Sequence, residues 1–413
     1  MTTRTVPAKK ERLVVVGNGM AGLRLLEELV KVAPDRYEMV VIGAEPEPAY
    51  NRVLLSSYLA GDTAAAELLF RDLDWYAARN IRLVTGQRVT AIRPARKEIV
   101  FRQGHRLGFD KLVLATGSEP MRLPLPGADL DGVVTFRNLS DVACMKVHGR
   151  GSRAVVIGGG LLGLEAAYGL ARRGLAVTLL HIMPRLMERQ LDAHAANLLR
   201  REMQALGIQV ELQAHTAAIE DTGGGAGKAD QVRLKDGRRL KADLVVMATG
   251  VKPQTDLAER SGLLVKRGIV VDDQLSTSVP GVFAIGECAE HRGVCYGLVE
   301  PAYAQAHVLA RQLAGETARY EGTLLATSLK VSGVNVFSAG NFEVGPGTEG
   351  IVLTDSQAGT YRKLVLRDGK LEGAILYGDV ADARWYRELI EQKRSIGPMR
   401  TDMIFGRDLV EAA

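Results

Sequence analysis

Two short stretches of this sequence have the residue types and spacing to cradle a pyrophosphate. Gly17-Asn18-Gly19-Met20-Ala21-Gly22 closes the buried-strand pattern of residues 12–17 and opens a segment with helical periodicity at Leu23, Leu26 and Leu29–Val30. In such a strand–turn–helix the first glycine permits the tight turn and the second lets the backbone approach the phosphates. The third allows close helix–sheet packing, and the helix N-terminus supplies N–H donors and a positive dipole end. Gly158-Gly159-Gly160-Leu161-Leu162-Gly163 repeats the arrangement between a strand at 153–157 and a helix at 161–173. One such motif is weak evidence. Two in correct context predict two dinucleotide sites, one for FAD and one for NAD(P).

Each site needs polar partners beyond the glycines. Glu45 lies just past the second strand, Tyr37–Ile42, where a ribose-binding acid belongs; the competing position, Ala44, carries no acid, and a solvated loop acid is the alternative for Glu45. The second strand of the second copy ends in Leu180-His181-Ile182, with no acid at that place. No arginine pair is evidently set to clamp a 2′-phosphate, although Arg185 and Arg189 are near. A 2′-phosphate carries close to two negative charges and would meet only His181 and scattered arginines, which leans the expectation toward NADH over NADPH.

The elements that must position these residues read as a duplication. The first βαβ opening predicts a parallel sheet. Residues 68–79 look helical, ending near Asn80, and the buried strand Leu112–Ala115 runs into Thr116-Gly117. The same grammar restarts at 153, with a strand at 176–180 and a helix capped by Asp192. That helix carries Ala195, Leu198, Leu199, Met203 and Leu206 on one face and stops at Gly207. Gly223–Gly227 reads as a flexible turn, and 244–248 is a strand running into Ala248-Thr249-Gly250. From about 322 come alternating strands with an Asp368-Gly369 hairpin turn, then a helix near 381–393. The expected fold class is α/β, with two Rossmann-like domains and a C-terminal α/β interface domain. The boundaries read as 1–120 and 244–321 for the two parts of the FAD domain, 121–243 for the NAD(P) domain and 322–413 for the last.

Composition narrows the setting. The chain has 413 residues, enough for two or three domains, and a mild net charge of +5 scattered along it, which gives nucleic-acid binding little support. No apolar run is long enough to span a bilayer, the N-terminus has no signal-peptide core, and Lys9, Lys10 and Arg12 read as a solvated lead-in. Cys144, Cys288 and Cys295 are too few for a disulfide framework or an iron–sulfur cluster and include no Cys-x-x-Cys, so a cytoplasmic setting is expected.

The paired glycine motifs and both Ala-Thr-Gly turns resemble the pyridine nucleotide–disulfide oxidoreductase superfamily. So does Thr277-Ser278-Val279-Pro280-Gly281-Val282-Phe283-Ala284-Ile285-Gly286-Glu287, and the resemblance covers nearly the whole chain. More narrowly, Ala49–Leu59, Met183–Asp192 and Gly286–His291 are similar to the flavin domain of the nitrite reductase large subunit, with rubredoxin and ferredoxin reductases close by. The resemblance implies that Gly286 and Glu287 hold the FAD ribityl chain, with Glu287 standing where Asp is usual. It implies that Arg52 contacts FAD and that Glu165 lies near nicotinamide and flavin; an exposed loop arginine and a solvent-facing helix residue are the respective alternatives. The resemblance further implies that Ala115, Thr116, Gly117 and Gly250 line the cofactors, and that the helix Ala302–Leu313 after Glu300-Pro301 points its N-terminus at the flavin, where it would stabilise negative charge on the reduced ring.

The departures are informative. The redox-active cysteine pair of the disulfide reductases is missing, and Ser57 stands where oxygenase-type ferredoxin reductases have a lysine. Nitrite reductase large subunits continue into iron–sulfur and sirohaem domains beyond the position of Ala413, so nitrite reduction by this chain alone is not expected. Cys288 reads as a small buried residue rather than a redox thiol, and His291 is weak as a proton donor. No catalytic side chain and no metal site are expected, because hydride transfer needs mainly positioning. The expected function is an FAD-dependent NAD(P)H oxidoreductase, an electron-transfer subunit exchanging electrons with an iron–sulfur or other metalloprotein. The direction is open and NAD+ reduction is included. A stand-alone reductase or oxidase of small acceptors and a non-catalytic FAD-binding subunit are the rivals.

Overall fold

The computed structural model describes residues 10–223, 227–331 and 333–412. Lys9 and residues 224–226 of the expected Gly223–Gly227 turn lie outside them. The chain forms two compact units. One takes in the chain up to Val53, Ala64–Glu119 and Val251–Thr323, and the other Leu54–Thr63, Pro120–Gly250 and the chain from Leu324.

The first unit is built on a five-stranded parallel sheet in the order Val282–Ala284, Lys111–Leu114, Glu11–Val16, Tyr37–Ile42, Ile81–Val84. Its central strand is buried on both faces, with Leu13, Val14 and Val15 fully inaccessible. That explains an unbroken aliphatic run instead of an alternating one. Helix Met20–Val32 buries Leu23, Leu25, Leu26 and Leu29. The helix expected over 68–79 is instead two short ones, Ala65–Leu68 and Leu73–Ala77. Between them the chain is drawn out to pair with 49–51: Asn51 N–H donates to Leu68 O and Phe70 N–H to Ala49 O. Asp72 then caps a fresh start by accepting from Trp75 N–H at 2.8 Å.

The second unit repeats the sheet in the order Gln209–Leu212, Ala176–His181, Arg153–Ile157, Leu244–Met247, Val133–Thr135, all parallel. Strand Leu244–Met247 therefore belongs to this sheet, and the boundary expected after 243 moves to Gly250. The Asp192 cap is present, accepting from Ala195 N–H at 3.0 Å, but Leu206 of the expected buried face is 40% exposed, because it is already the residue at which the helix ends.

The C-terminal part of this unit is a five-stranded antiparallel sheet, ordered Ala326–Val331, Val334–Gly340, Lys370–Tyr377, Thr360–Arg367, Thr348–Asp355. Asp368 and Gly369 both have positive φ, as a two-residue hairpin turn requires. Helix Ala383–Gln392 lays Tyr386, Leu389 and Ile390 on the sheet against Leu364, Leu366 and Leu376. The alternate face of strand Thr360–Arg367 carries Tyr361 and Lys363, which both reach Asp192. Among the described residues no helix is long and apolar enough to cross a membrane.

Candidate functional site

In the first unit, Gly17 turns the chain out of the central strand with φ +118°. A Cβ there would lie 2.0 Å from Ala115 O, and one on Gly22 would lie 2.0 Å from Gly17 O. Strand, turn and helix are thus in backbone contact. Gly19 differs: it is the N-cap of helix Met20–Val32, no side chain caps the helix, and a Cβ on it would meet nothing within 4 Å. The N-terminal donors near Met20 and Ala21 look onto open space. That is the shape a bound pyrophosphate fills.

Other expected residues gather around this turn. A Cβ on Gly286 would come within 2.9 Å of the Ala21 side chain. Glu287 accepts from Ser118 Oγ at 2.8 Å, and Thr116 Oγ1 donates to Gln254 O at 2.8 Å, while Gly117 O accepts from Gln254 N–H. The Gly286 N–H is held at 2.7 Å by Oε1 of the fully buried Gln305. Gln305 sits on helix Val299–Ala314, which begins three residues earlier than expected, because Pro301 lies in the first turn, where a missing N–H costs nothing. Glu45 and Arg52, expected to act separately, are ion-paired. Arg52 also donates to Tyr50 Oη at 2.9 Å, and Tyr50 donates to Glu45 at 2.6 Å.

The second unit repeats the contacts closely. A Cβ on Gly158, at φ +126°, would lie 2.2 Å from Ala248 O, and one on Gly163 1.8 Å from Gly158 O, while Gly160 again faces open space as an uncapped helix start before Leu161 and Leu162. Gly250 O accepts from Met121 N–H. The extra glycine, Gly159, is required by a side chain: its Cβ would strike the His181 ring at 2.5 Å. The Gly159 N–H donates to His181 Nδ1 at 3.0 Å, so the ring proton is on Nε2, which meets Glu188 Oε2 at 3.0 Å. Glu165, one turn into the helix, is half-buried, and desolvation pushes its carboxyl up to about 8.

Of the thiols, Cys288 packs against Thr116 and Gly117 of the first cluster. Cys288 is buried with Sγ 3.3 Å from Ile285 O, and burial pushes its thiol up, away from reactivity. His291 is fully buried and bound to Asp273 at 2.9 Å. Among the described residues no His, Cys, Asp and Glu grouping could hold a metal.

Residues 11–312 match the pyridine nucleotide-disulphide oxidoreductase family, and residues 326–394 match the rubredoxin NAD+ reductase C-terminal domain. The chain belongs to that oxidoreductase family. It is 46% identical over 389 residues to a nitrite reductase [NAD(P)H] of Bacillus subtilis, covering 94% of this chain and 48% of the relative. It is 43% identical to the assimilatory nitrate reductase electron transfer subunit of the same organism, covering 96% and 51%. The chain spans about half the length of these curated relatives. The fold matches putidaredoxin reductase, in a covalent complex with putidaredoxin, with TM-score 0.88 and 27% identity over 97% of this chain and 98% of that one. The pyridine nucleotide-disulphide oxidoreductase family implies FAD and a nicotinamide nucleotide as cofactors.

Four polar residues of these folds went unread in the sequence: Tyr50, Ser118, Gln305 and Glu188. Gln305 is one polar residue in an apolar helix face, and Tyr50 precedes the expected Arg52 by two positions, so both left a faint signal. Glu188 lies inside Met183–Asp192, a stretch that carries the resemblance, but only folding of that segment brings it to His181.

Proposed function

We propose that this chain passes electrons between a nicotinamide nucleotide and an iron–sulfur or other metalloprotein by way of FAD, in a cytoplasmic setting. The observation that carries the proposal is the doubled cradle: Gly19 and Gly160 each stand at an uncapped helix start with open space where a Cβ would be. Gly17, Met20, Ala21 and Gly22 would hold the FAD pyrophosphate, and Glu45, kept in place by Arg52 and Tyr50, the adenosine ribose. Arg52 adds positive charge beside the phosphates. Ala115, Thr116 and Gly117 form the wall against which Gly17 turns, and Glu287, steadied by Ser118, would take the ribityl hydroxyls. The N-terminus of helix Val299–Ala314, with Pro301 in its first turn, brings a positive dipole end. Gly158, Gly160, Leu161, Leu162 and Gly163 would hold the nicotinamide nucleotide, with Gly250 behind them and Glu165 at its reactive end.

FAD held by these residues would supply hydride exchange with a nicotinamide and single-electron exchange with a metal centre. The chain's own work is to bind, orient and exclude water. The likeness to the Bacillus subtilis assimilatory nitrate reductase electron transfer subunit and to putidaredoxin reductase supports a protein as acceptor or donor.

The test begins with the purified protein, expected yellow with about one FAD per chain. NADH added without oxygen should bleach it, and an oxidised rubredoxin or ferredoxin should restore the colour in stopped-flow. Recovery only on admitting oxygen would replace the proposal with a stand-alone oxidase, and failure to bleach with one of a non-catalytic nucleotide-binding subunit.

A further inference from the structure

Dinucleotide folds that take NAD keep an acid at the end of the second strand to accept from the ribose hydroxyls. Here that strand, Ala176–His181, ends in histidine. The segment after it folds back onto the glycine turn. Met187 N–H donates to Gly159 O at 3.0 Å, and Met187, 1% exposed, takes φ +48°, a conformation that is strained for a side chain of its size and is imposed by its surroundings. The next residue is Glu188. Gly159 is therefore gripped from both sides, its N–H by His181 and its carbonyl by Met187. Glu188 is fixed 3.0 Å from the ring that ends the strand.

We infer that Glu188, delivered from this turn, is the ribose-reading acid of the second fold and makes it select a nicotinamide nucleotide without a 2′-phosphate. The inference rests on the proposal that the second fold binds such a nucleotide. The His181 Nε2–H holds one carboxylate oxygen and so orients the other for a ribose hydroxyl. The same negative charge opposes a 2′-phosphate. Of the two arginines near this place, Arg185 donates to Glu343 at 2.8 Å and to the Glu188 carbonyl at 3.4 Å, and Arg189 is exposed. In this account His181 is a positioning residue and Glu188 the residue that discriminates.

The test uses the FAD-loaded protein and two fragments without a nicotinamide ring, ADP-ribose and 2′-phospho-ADP-ribose, so that binding is read by calorimetry independently of turnover. Wild type should bind ADP-ribose the more tightly, by at least about tenfold, the scale set by one unit charge close to another. E188Q keeps an acceptor for His181 but removes the charge, and should narrow that ratio by about tenfold. In flavin reduction its effect should fall on the half-saturating concentration and not on the limiting rate. A wild-type preference for the phosphorylated fragment would overturn the inference, as would a ratio unmoved in E188Q; either leaves the second fold a nucleotide site. Binding of neither fragment to wild type would overturn the nucleotide site itself, and the inference with it.

Discussion

Gly163 faces the carbonyl oxygen of Gly158 so closely that a Cβ on it would lie 1.8 Å away, and Gly22 faces Gly17 in the same manner at 2.0 Å. These glycines hold helix to strand, while the glycines between them, Gly19 and Gly160, leave room for a ligand. The two classes should separate by mutation. Gly163→Ala should cost about 1–3 kcal/mol through overpacking and lower the melting temperature. Gly19→Val should leave the melting temperature of the flavin-free protein near wild type and yield protein with little FAD. Full FAD occupancy in that variant would remove the first fold from the cofactor assignment.

Glu165 supplies a pH dependence of opposite sign to most carboxylates. Its carboxyl, pushed up to about 8 by desolvation, holds its proton in the fold where the unfolded chain, near the ordinary 4.5, has released it. The stability tied to that proton is complete below about pH 4.5 and is lost as pH rises through about 8. Glu165→Gln should flatten the fall in melting temperature across this window. The rate of flavin reduction by NADH should likewise lose an apparent pKa near 8. A wild-type profile flat from pH 6 to 9 would speak against any such role.

Asp192 behaves in the reverse way. Burial works against its charge, but the Ala195 N–H, the Tyr361 hydroxyl and the Lys363 ammonium together hold its carboxyl below the usual range. The stability this provides is present above the ordinary carboxylate range and is lost as pH falls through the lowered value. Lys363 and Asp192 side chains are only 10% and 12% exposed. Asp192→Ala should therefore cost about 3 kcal/mol or more, since it leaves a buried ammonium unpaired and a helix uncapped. Lys363→Met should cost less, because two partners of Asp192 remain. Equal losses in chemical denaturation would show that the pair, and not the cap, dominates.

If electrons pass from flavin directly to an external metal centre, no thiol takes part. A C144S/C288A/C295S variant should keep most of its NADH-to-dye activity and its transfer to a small iron–sulfur protein. The chain's charge of +5 suits an acidic partner, so that transfer should weaken as salt screens the surfaces over about 8–10 Å, while dye reduction changes little. Loss of both activities with FAD still bound would put a cysteine in the relay.

Much of this was legible because the informative residues are local. A strand, a glycine turn and a helix within twenty residues fix one another, and the aliphatic runs Leu13–Val16 and Ala154–Ile157 mark central strands by the lack of alternation. Partners separated along the chain left no such mark. The Glu45–Arg52 pair looked like two independent ligands, and the break at Leu69 depends on pairing with residues 49–51 that no helical periodicity records. The Ala-Thr-Gly ending of the strand at 244–247 copies the first fold's and points to that fold, but says nothing of which sheet receives it, and the strand pairs with Arg153–Ile157 of the second.

The edge strands of the two sheets come from opposite directions along the chain. Val133–Thr135 precedes the second glycine motif, so every strand that sheet needs has been synthesised once Gly250 is made. The first sheet must wait for Val282–Ala284, which follow the whole of the second fold. During synthesis the later-starting fold is thus the earlier to close, and the earlier-starting one stays open at its Lys111–Leu114 edge, a strand of unpaired backbone groups, for the longer time. Chains truncated between 250 and 282 and released from the ribosome should already resist protease in the second fold while the first remains cleavable, and free flavin should protect the first only in chains that extend past 284.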